Sequence, residues 1–396
     1  MNLGPSLVAD ALAAPATKPT HPVLVSVFLD GGMDSLSMLA PVADPVYRRL
    51  RPTLARSPGS GPVFADDPRL HWHPSAESFC KLHEAGKLAV APSIGYSDPN
   101  QSHFTSRHYW EVGDTDAALR TGWLGRYLDI VGSTDNPLQG LSIDHTLAPA
   151  LAPERMPVAS LVSARSFRFE QRDVWGDVDA ESVRAIEAIG HANLHNADPG
   201  ARAAAATAVS SMNLRRQLLP LDEPVGSGAP SMYPAGTLGE QLSSIAAMLA
   251  IGLPLRCVAV RTGSFDTHAS QDLAFTNDLK TVADCLLAFQ TDLDTRGLAN
   301  RVLTEVWSEF GRRPSENASA GTDHGAAGTA MLIGSRVRRQ LLGEFSGLTA
   351  LDSDGNMRPS LDFRGLHAAI LDQWFDVDAA QVLPDARSFS TPKILD

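Results

Sequence analysis

Cysteine is scarce in this chain of 396 residues, and the three present form no pattern. Cys80, Cys257 and Cys285 are an odd count without C-x-x-C spacing, so neither a disulfide framework nor a thiolate metal knuckle can be built on them. Each sits in an apolar helix or strand pattern and is expected as a buried free thiol, which leaves the redox compartment undecided. Positive charge is short as well: 33 Lys and Arg against 45 Asp and Glu give a net charge of −12 and a pI near 5.4. That balance excludes an electrostatic footprint for nucleic acid or an anionic membrane, so an anionic substrate needs local cations or metals to hold it. No apolar run reaches the length that spans a bilayer. Internal repeats are absent, and low complexity is confined to the Ala run at 203–206. No Lys precedes Lys18 and no Arg precedes Arg48, so the Ala-rich start lacks the basic opening of an export signal. Residues 1–21 are expected to be a flexible arm or a signal remnant: cytoplasmic for the chain as given, periplasmic or exported if a signal has been removed.

What remains is an ordinary globular composition, 43% hydrophobic and 20% charged, with ample core. The length allows two or three domains, but large α/β domains also run this long, and residues 22–396 are expected as one such unit. Val23–Leu29 is β-rich, short and continuously apolar, as a central parallel strand should be. It ends in Asp30-Gly31-Gly32-Met33-Asp34-Ser35, a glycine turn with two carboxylates at a strand carboxyl end, where open α/β sheets bind ligands. A helix over 74–86, a strand from Lys87 to Pro92 and a polar loop carrying Ser102 and His103 continue a βαβ rhythm. Helical patterns follow at 121–131, in two pieces over 177–219 broken near Asp198-Pro199-Gly200, and at 237–252. A strand is expected at 157–162, and a helical cap or insertion around 165–235 whose Gly/Pro-dense loop 221–234 reads as a lid boundary or a plain connection. Leu255–Arg261 is the next strand, followed by a helix over 271–290 and strands at 301–307 and 330–334.

Chemistry-bearing residues gather just past those strand ends: Asp30 and Asp34, Ser102 and His103, Asp266 and His268, Glu309, and Asp323 with His324. Neighbouring side chains diverge on a regular element, so Asp323 and His324 reach one site only if the backbone turns sharply, which Gly321 and Gly325 would permit. Mixed oxygen and nitrogen donors suit Zn²⁺ or Mn²⁺, with Mg²⁺ or Ca²⁺ as further candidates. Each residue also has a plainer reading. Ser102 can cap a helix that starts at His103. Glu309 can pair with Arg312 and His103 can be a satisfied core or loop histidine, or each can touch a metal or orient one of its ligands. His71 and His73 alternate as on an exposed edge.

The segments Phe28–Leu36, Gln101–Ser106, Thr121–Arg126, Gly263–His268, Ser308–Arg312 and Gly321–Gly325 together resemble a bacterial family of unknown function. That family is placed in the alkaline phosphatase and sulfatase superfamily, and many of its members carry twin-arginine export signals. The resemblance covers about residues 23–375. It implies a three-layer α/β/α sandwich with a mostly parallel, alkaline-phosphatase-like sheet and a metal centre at the strand carboxyl ends. Carried over, it makes Asp34, Asp266, His268, Asp323 and His324 ligands and Ser102 the nucleophile, with Arg107 or Arg312 clamping the anion. Two departures stand out. Asp266-Thr-His268 is shorter than the superfamily's helical-turn spacing, and the late histidine has no secure counterpart, His367 being the only one beyond His324. A one-metal site, or a centre completed by His103, therefore stays open. The implied function is metal-dependent hydrolysis of a small phosphate or sulfate ester. The missing Cys-x-Pro-x-Arg motif counts against a sulfatase. A lyase, isomerase or transferase on the same centre, or a metal-stabilised binding protein, are the alternatives, and fold analogy cannot choose among them. Oligomeric state is left open.

Overall fold

The structure, a computed structural model, describes residues 19–162, 177–218 and 232–396. In chain order its strands are β1 (Val23–Leu29), β2 (Leu39–Ala40), β3 (His71–Trp72), β4 (Leu88–Gly95), β5 (Gly140–Ser142), β6 (Ala159–Ser160), β7 (Cys257–Thr262), β8 (Val302–Trp307), β9 (Arg312–Glu316), β10 (Thr322–His324), β11 (Gly328–Ile333) and β12 (Leu361–Asp362). Its helices are α1 (Ser35–Met38), α2 (Pro45–Leu50), α3 (Glu77–Glu84), α4 (His103–Val112), α5 (Trp123–Val131), α6 (Asp177–Asn193), α7 (Pro199–Leu218), α8 (Thr237–Ala250), α9 (Gln271–Thr295) and α10 (Phe363–Ala369).

Eight strands form one sheet in the order β12-β4-β11-β8-β1-β7-β5-β6. Every pairing in it is parallel except the two that β11 makes, with β4 and with β8. The central strand β1 shows why the sheet has two cores. Its side chains alternate, so Val23, Val25, Val27 and Leu29 pack with α3, α8 and α9, while Leu24 and Phe28 pack with α4, α5 and α10. Burying each such aliphatic side chain contributes roughly 1.5–3 kcal/mol. Helices therefore cover both faces, which is the three-layer sandwich that the resemblance implied. Ser26 interrupts the apolar run and is satisfied in place: its hydroxyl donates to Glu305 Oε2 at 3.1 Å and accepts from Trp307 Nε1 at 2.9 Å.

Several elements differ from the sequence expectation. The strand at 157–162 shrinks to two-residue β6, which among the described residues is an edge strand paired with β5. The segment from Arg312 to Gly325, where a sharp turn at Gly321 and Gly325 was expected, is an antiparallel hairpin, β9 with β10. The helix break does fall where expected, between Asn193 and Pro199, and α6 packs on α7. Most of the N-terminal arm and of the loop at 221–234 lies outside the described residues. The three cysteines are buried and free. Among the described residues no helix is long and apolar enough to cross a membrane.

The turn after β1 tolerates only glycine. Gly31 has φ +103°, and a Cβ there would lie 2.4 Å from the Asp266 nitrogen; Gly32 has φ +68°, and its Cβ would lie 2.3 Å from the Phe310 ring. Gly31→Ala is therefore expected to lower stability by about 2 kcal/mol or more in urea denaturation. An unchanged midpoint would refute this account of the turn.

Candidate metal centre

Three segments at the carboxyl edge of the sheet bring side chains to one point. The N-terminus of α4 supplies His103, the loop after β7 supplies Asp266 and His268, and β10 supplies His324. Donor atoms of His103, Asp266 and His324 all lie within 4.8 Å of one another. Asp266 Oδ1 is 3.4 Å from Nε2 of His103 and 3.4 Å from Nε2 of His324. His268 joins from the far side, its Nε2 2.9 Å from both Asp266 Oδ1 and His324 Nε2. The Phe310 ring lies against His103 and His324, with centroids 4.8 and 4.9 Å away.

The other nitrogen of each imidazole is committed to an oxygen. His103 Nδ1 is 2.6 Å from Glu309 Oε1, His268 Nδ1 is 3.1 Å from Asp323 Oδ1, and His324 Nδ1 is 2.7 Å from the Gln101 carbonyl. A carbonyl or an ionised carboxylate only accepts, so this network assigns the proton to Nδ1 in His103 and His324, whereas His268 lies between two carboxylates, Asp323 at Nδ1 and Asp266 at Nε2, and either of its nitrogens can donate. The Nε2 lone pairs of His103 and His324 then gather with the Asp266 carboxylate, and His268 Nε2 lies beside them, 3.4 Å from Arg312 Nη1. The Nε2 atoms of His268 and His324, 2.9 Å apart, repel unless a proton or a cation lies between them. His103 Nε2 is moreover buried without a hydrogen-bond partner. Three imidazoles with oxygen acceptors behind them and one carboxylate are a donor set that fits a borderline divalent ion.

The local charges act differently on each of these groups. Burial alone would raise the Asp266 pKa, but its hydrogen bond and charge contact with Arg312 outweigh that and hold it down to about 2. The Glu309 hydrogen bond raises the His103 pKa against burial, and burial lowers that of His324. The Asn317 hydrogen bond lowers that of Asp323.

Other expected residues stand elsewhere. Asp34 is not at the cluster: its carboxylate is 1% exposed and accepts from Leu36 N, Ser37 Oγ, Gln271 Nε2 and both terminal nitrogens of Arg51, the latter at 2.6 and 2.9 Å. Five donors leave it no lone pair to offer an ion. Arg312 is not a free anion clamp, because its wholly buried guanidinium donates to the carbonyls of Gly31, Gly32 and Thr322 and to Asp266 Oδ1. Arg107 pairs with Glu111 one helical turn from His103 rather than facing the ligands. Glu309 accepts from Gly31 N, Gly32 N and Ser308 Oγ, and aims His103 instead of joining the cluster. Asp323 is an exposed residue behind His268. It diverges from His324 as neighbours on a strand do, and Gly321 and Gly325 serve close backbone approach to His268 and Arg312 rather than a turn. Ser102 caps α4 at 3.5 Å from Thr105 N, a weak bond that leaves its hydroxyl largely free, between Gln101 and His103.

The sequence pattern of a family described as "Protein of unknown function (DUF1501)" matches residues 102–383. The chain belongs to that family. No curated protein matches this DUF1501 chain. Solved structures that it resembles include a protein in the alkaline phosphatase superfamily from Vibrio parahaemolyticus, at 8% identity and TM-score 0.37, over 92% of this chain and 67% of that one. The C-terminal periplasmic domain of EcEptC from Escherichia coli is similar at 7% identity and TM-score 0.39, over 95% and 88%. PsFucS1 sulfatase from Pseudoalteromonas sp. is similar at 13% identity and TM-score 0.37, over 96% and 75%.

Sequence reading missed the Gln101 carbonyl and Asn317, which bonds the Asp323 carboxylate at 3.1 Å. A backbone acceptor has no residue-type signal. The Asp34–Arg51 pair in this DUF1501 chain gives a direct test. Burial would raise the Asp34 pKa, but the Arg51 charge and hydrogen bonds prevail and lower it. Its stabilisation is thus complete above the unfolded carboxylate value and is lost as pH falls through the depressed folded value. Asp34→Asn, which leaves Arg51 buried without its counter-charge, is expected to cost about 3–5 kcal/mol at pH 7. That gap should narrow below about pH 4 in denaturant titrations; a gap that does not depend on pH would contradict it.

Proposed function

We propose that this protein is a metal-dependent hydrolase of phosphate or sulfate esters, built on one divalent ion held by His103, Asp266, His268 and His324. The observation that supports the reading is the convergence of the His103 and His324 Nε2 atoms on an ionised carboxylate with His268 beside them, the His103 nitrogen having no hydrogen-bond partner. Three imidazoles favour Zn²⁺ or Mn²⁺ over Ca²⁺ or Mg²⁺, which prefer oxygen. When bound, such an ion supplies Lewis-acid polarisation of an ester oxygen.

The residues of the chain do the rest. Glu309, Asp323 and the Gln101 carbonyl fix the three rings, and Arg312 keeps Asp266 ionised. The amides of His103 and Phe104, in the first turn of α4, have no acceptor among the described residues and open toward the same edge, where a helix N-terminus favours an anion. Ser102, between two residues that build the cluster, is the hydroxyl placed to attack phosphorus or sulfur. The centre is open, with Asp266 and His268 nearly half exposed, so bulky esters can approach it.

Elemental analysis of protein purified without chelator is expected to find about one divalent ion per chain, lost in His103→Ala and His324→Ala, and removal should lower the melting temperature. Content below about one ion in ten chains that added Zn²⁺ or Mn²⁺ does not restore would end the metal reading. On a panel of phosphomonoesters, phosphodiesters and sulfate esters, Ser102→Ala is expected to keep the ion and the fold and lose turnover. Retained turnover with a stability loss of about 1 kcal/mol would make Ser102 only a helix cap.

A further inference from the structure

The face of α4 that carries His103 continues away from the cluster. His103, Arg107 and Glu111 stand at i, i+4 and i+8, so each is displaced from the last by roughly 6 Å of helix rise. Opposite Arg107 and Glu111, across a cavity of about 70 Å³, lie Trp307 of β8, Phe28 of β1, Arg261 of β7 and Ser142 of β5, four neighbouring strands. One water needs roughly 10–15 Å³ of such space, so there is room for a group of about four or five heavy atoms.

Two cations flank one ring in this cavity. The Arg107 guanidinium lies 4.7 Å over Phe28, and Arg261 is the register partner of Phe28 on β7. Each arginine spends Nε and Nη2 on a single carboxylate oxygen, Arg107 on Glu111 Oε1 and Arg261 on Asp30 Oδ2. Nη1 of each has no acceptor among the described residues. Glu111 is nine-tenths buried, and burial pushes its carboxyl up to about 7 against the pull of Arg107 and Arg261, so near neutrality it only partly cancels Arg107. Asp144 is the other acid in the lining.

We propose that this cleft is an oxyanion subsite, taking a carboxylate- or sulfate-sized group between the Nη1 atoms of Arg107 and Arg261. The group has two sources, an acidic substituent on the ester itself or a free inorganic anion. Only the first rests on the hydrolase reading above.

The test is calorimetric titration of inorganic sulfate into the full chain, with its metal and again after chelation. A sulfate site that survives chelation is expected, weakened at least about tenfold in Arg261→Gln and in Arg107→Gln/Arg261→Gln. The single Arg261→Gln change, at an exposed side chain, keeps the test valid if the double variant folds poorly by circular dichroism. No sulfate uptake after chelation, or equal affinity in a folded double variant, overturns the proposal. In a second arm, phenyl phosphate is compared with 4-carboxyphenyl phosphate. A lower KM for the carboxylated ester, lost in Arg261→Gln without change in kcat, assigns the subsite to substrate. Sulfate binding without that preference assigns it to a free anion. If neither ester is hydrolysed, the hydrolase reading fails while the sulfate arm still decides the subsite.

Discussion

The candidate centre depends on how the peptide groups after β1 are held. Glu309, fully buried, takes the amide hydrogens of Gly31 and Gly32, and Arg312, also fully buried, takes the carbonyl oxygens of the same two residues. A buried charge is costly unless it is paired and fully hydrogen-bonded. Each of these two therefore reaches past the turn to a partner: Glu309 to His103, and Arg312 to Asp266 and the Thr322 carbonyl. One glycine turn thus fixes ligands from α4, from the loop after β7 and, through Thr322, from β10. Only glycine allows it, since a Cβ at either position would strike the Asp266 backbone or the Phe310 ring.

The same clamp explains what the sequence could and could not tell. Apolar runs of five to seven residues mark strands, so the places where polar residues leave the sheet were legible, and Asp266, His268 and His324 fall there. Pairing between segments was not legible. Asp34 and Arg51 are 17 positions apart and Arg312 and Gly31 are 281, and nothing in residue type announces that either arginine is buried rather than facing an anion. The hairpin of β9 and β10 was hidden for a related reason: Asn-Ala-Ser-Ala-Gly reads as loop, and β10 is only three residues long. Its glycines looked like turn residues because close backbone contact, here with His268 and Arg312, leaves the same mark in a sequence.

The resemblance that made Asp34 a ligand fails at one salt bridge. Arg51 brings a permanent positive charge to the place where a second ion would have to share Asp34, and the two cations exclude each other. The neighbouring contacts agree, because Ser37 and Gln271 spend their donors on the same carboxylate. What is left is an imidazole-rich centre with a single anionic donor. A chain with two ions would need more carboxylate to balance them than the cluster contains.

The donor set fixes the local field. Asp266 alone would leave a divalent ion with about one unit of positive charge, which Glu309 and Asp323 behind the rings meet from a greater distance, while the chain as a whole carries −12. An anion approaching an acidic protein is repelled everywhere except where the local sign reverses, and the −12 background then restricts it to that place. The N-terminus of α4 adds partial positive charge on the same edge, while Arg107 on that helix and Arg261 on β7 each face a carboxylate, Glu111 and Asp30. On the proposed reading an anionic ester needs no basic surface, because the ion and the N-terminus of α4 would supply the local positive field.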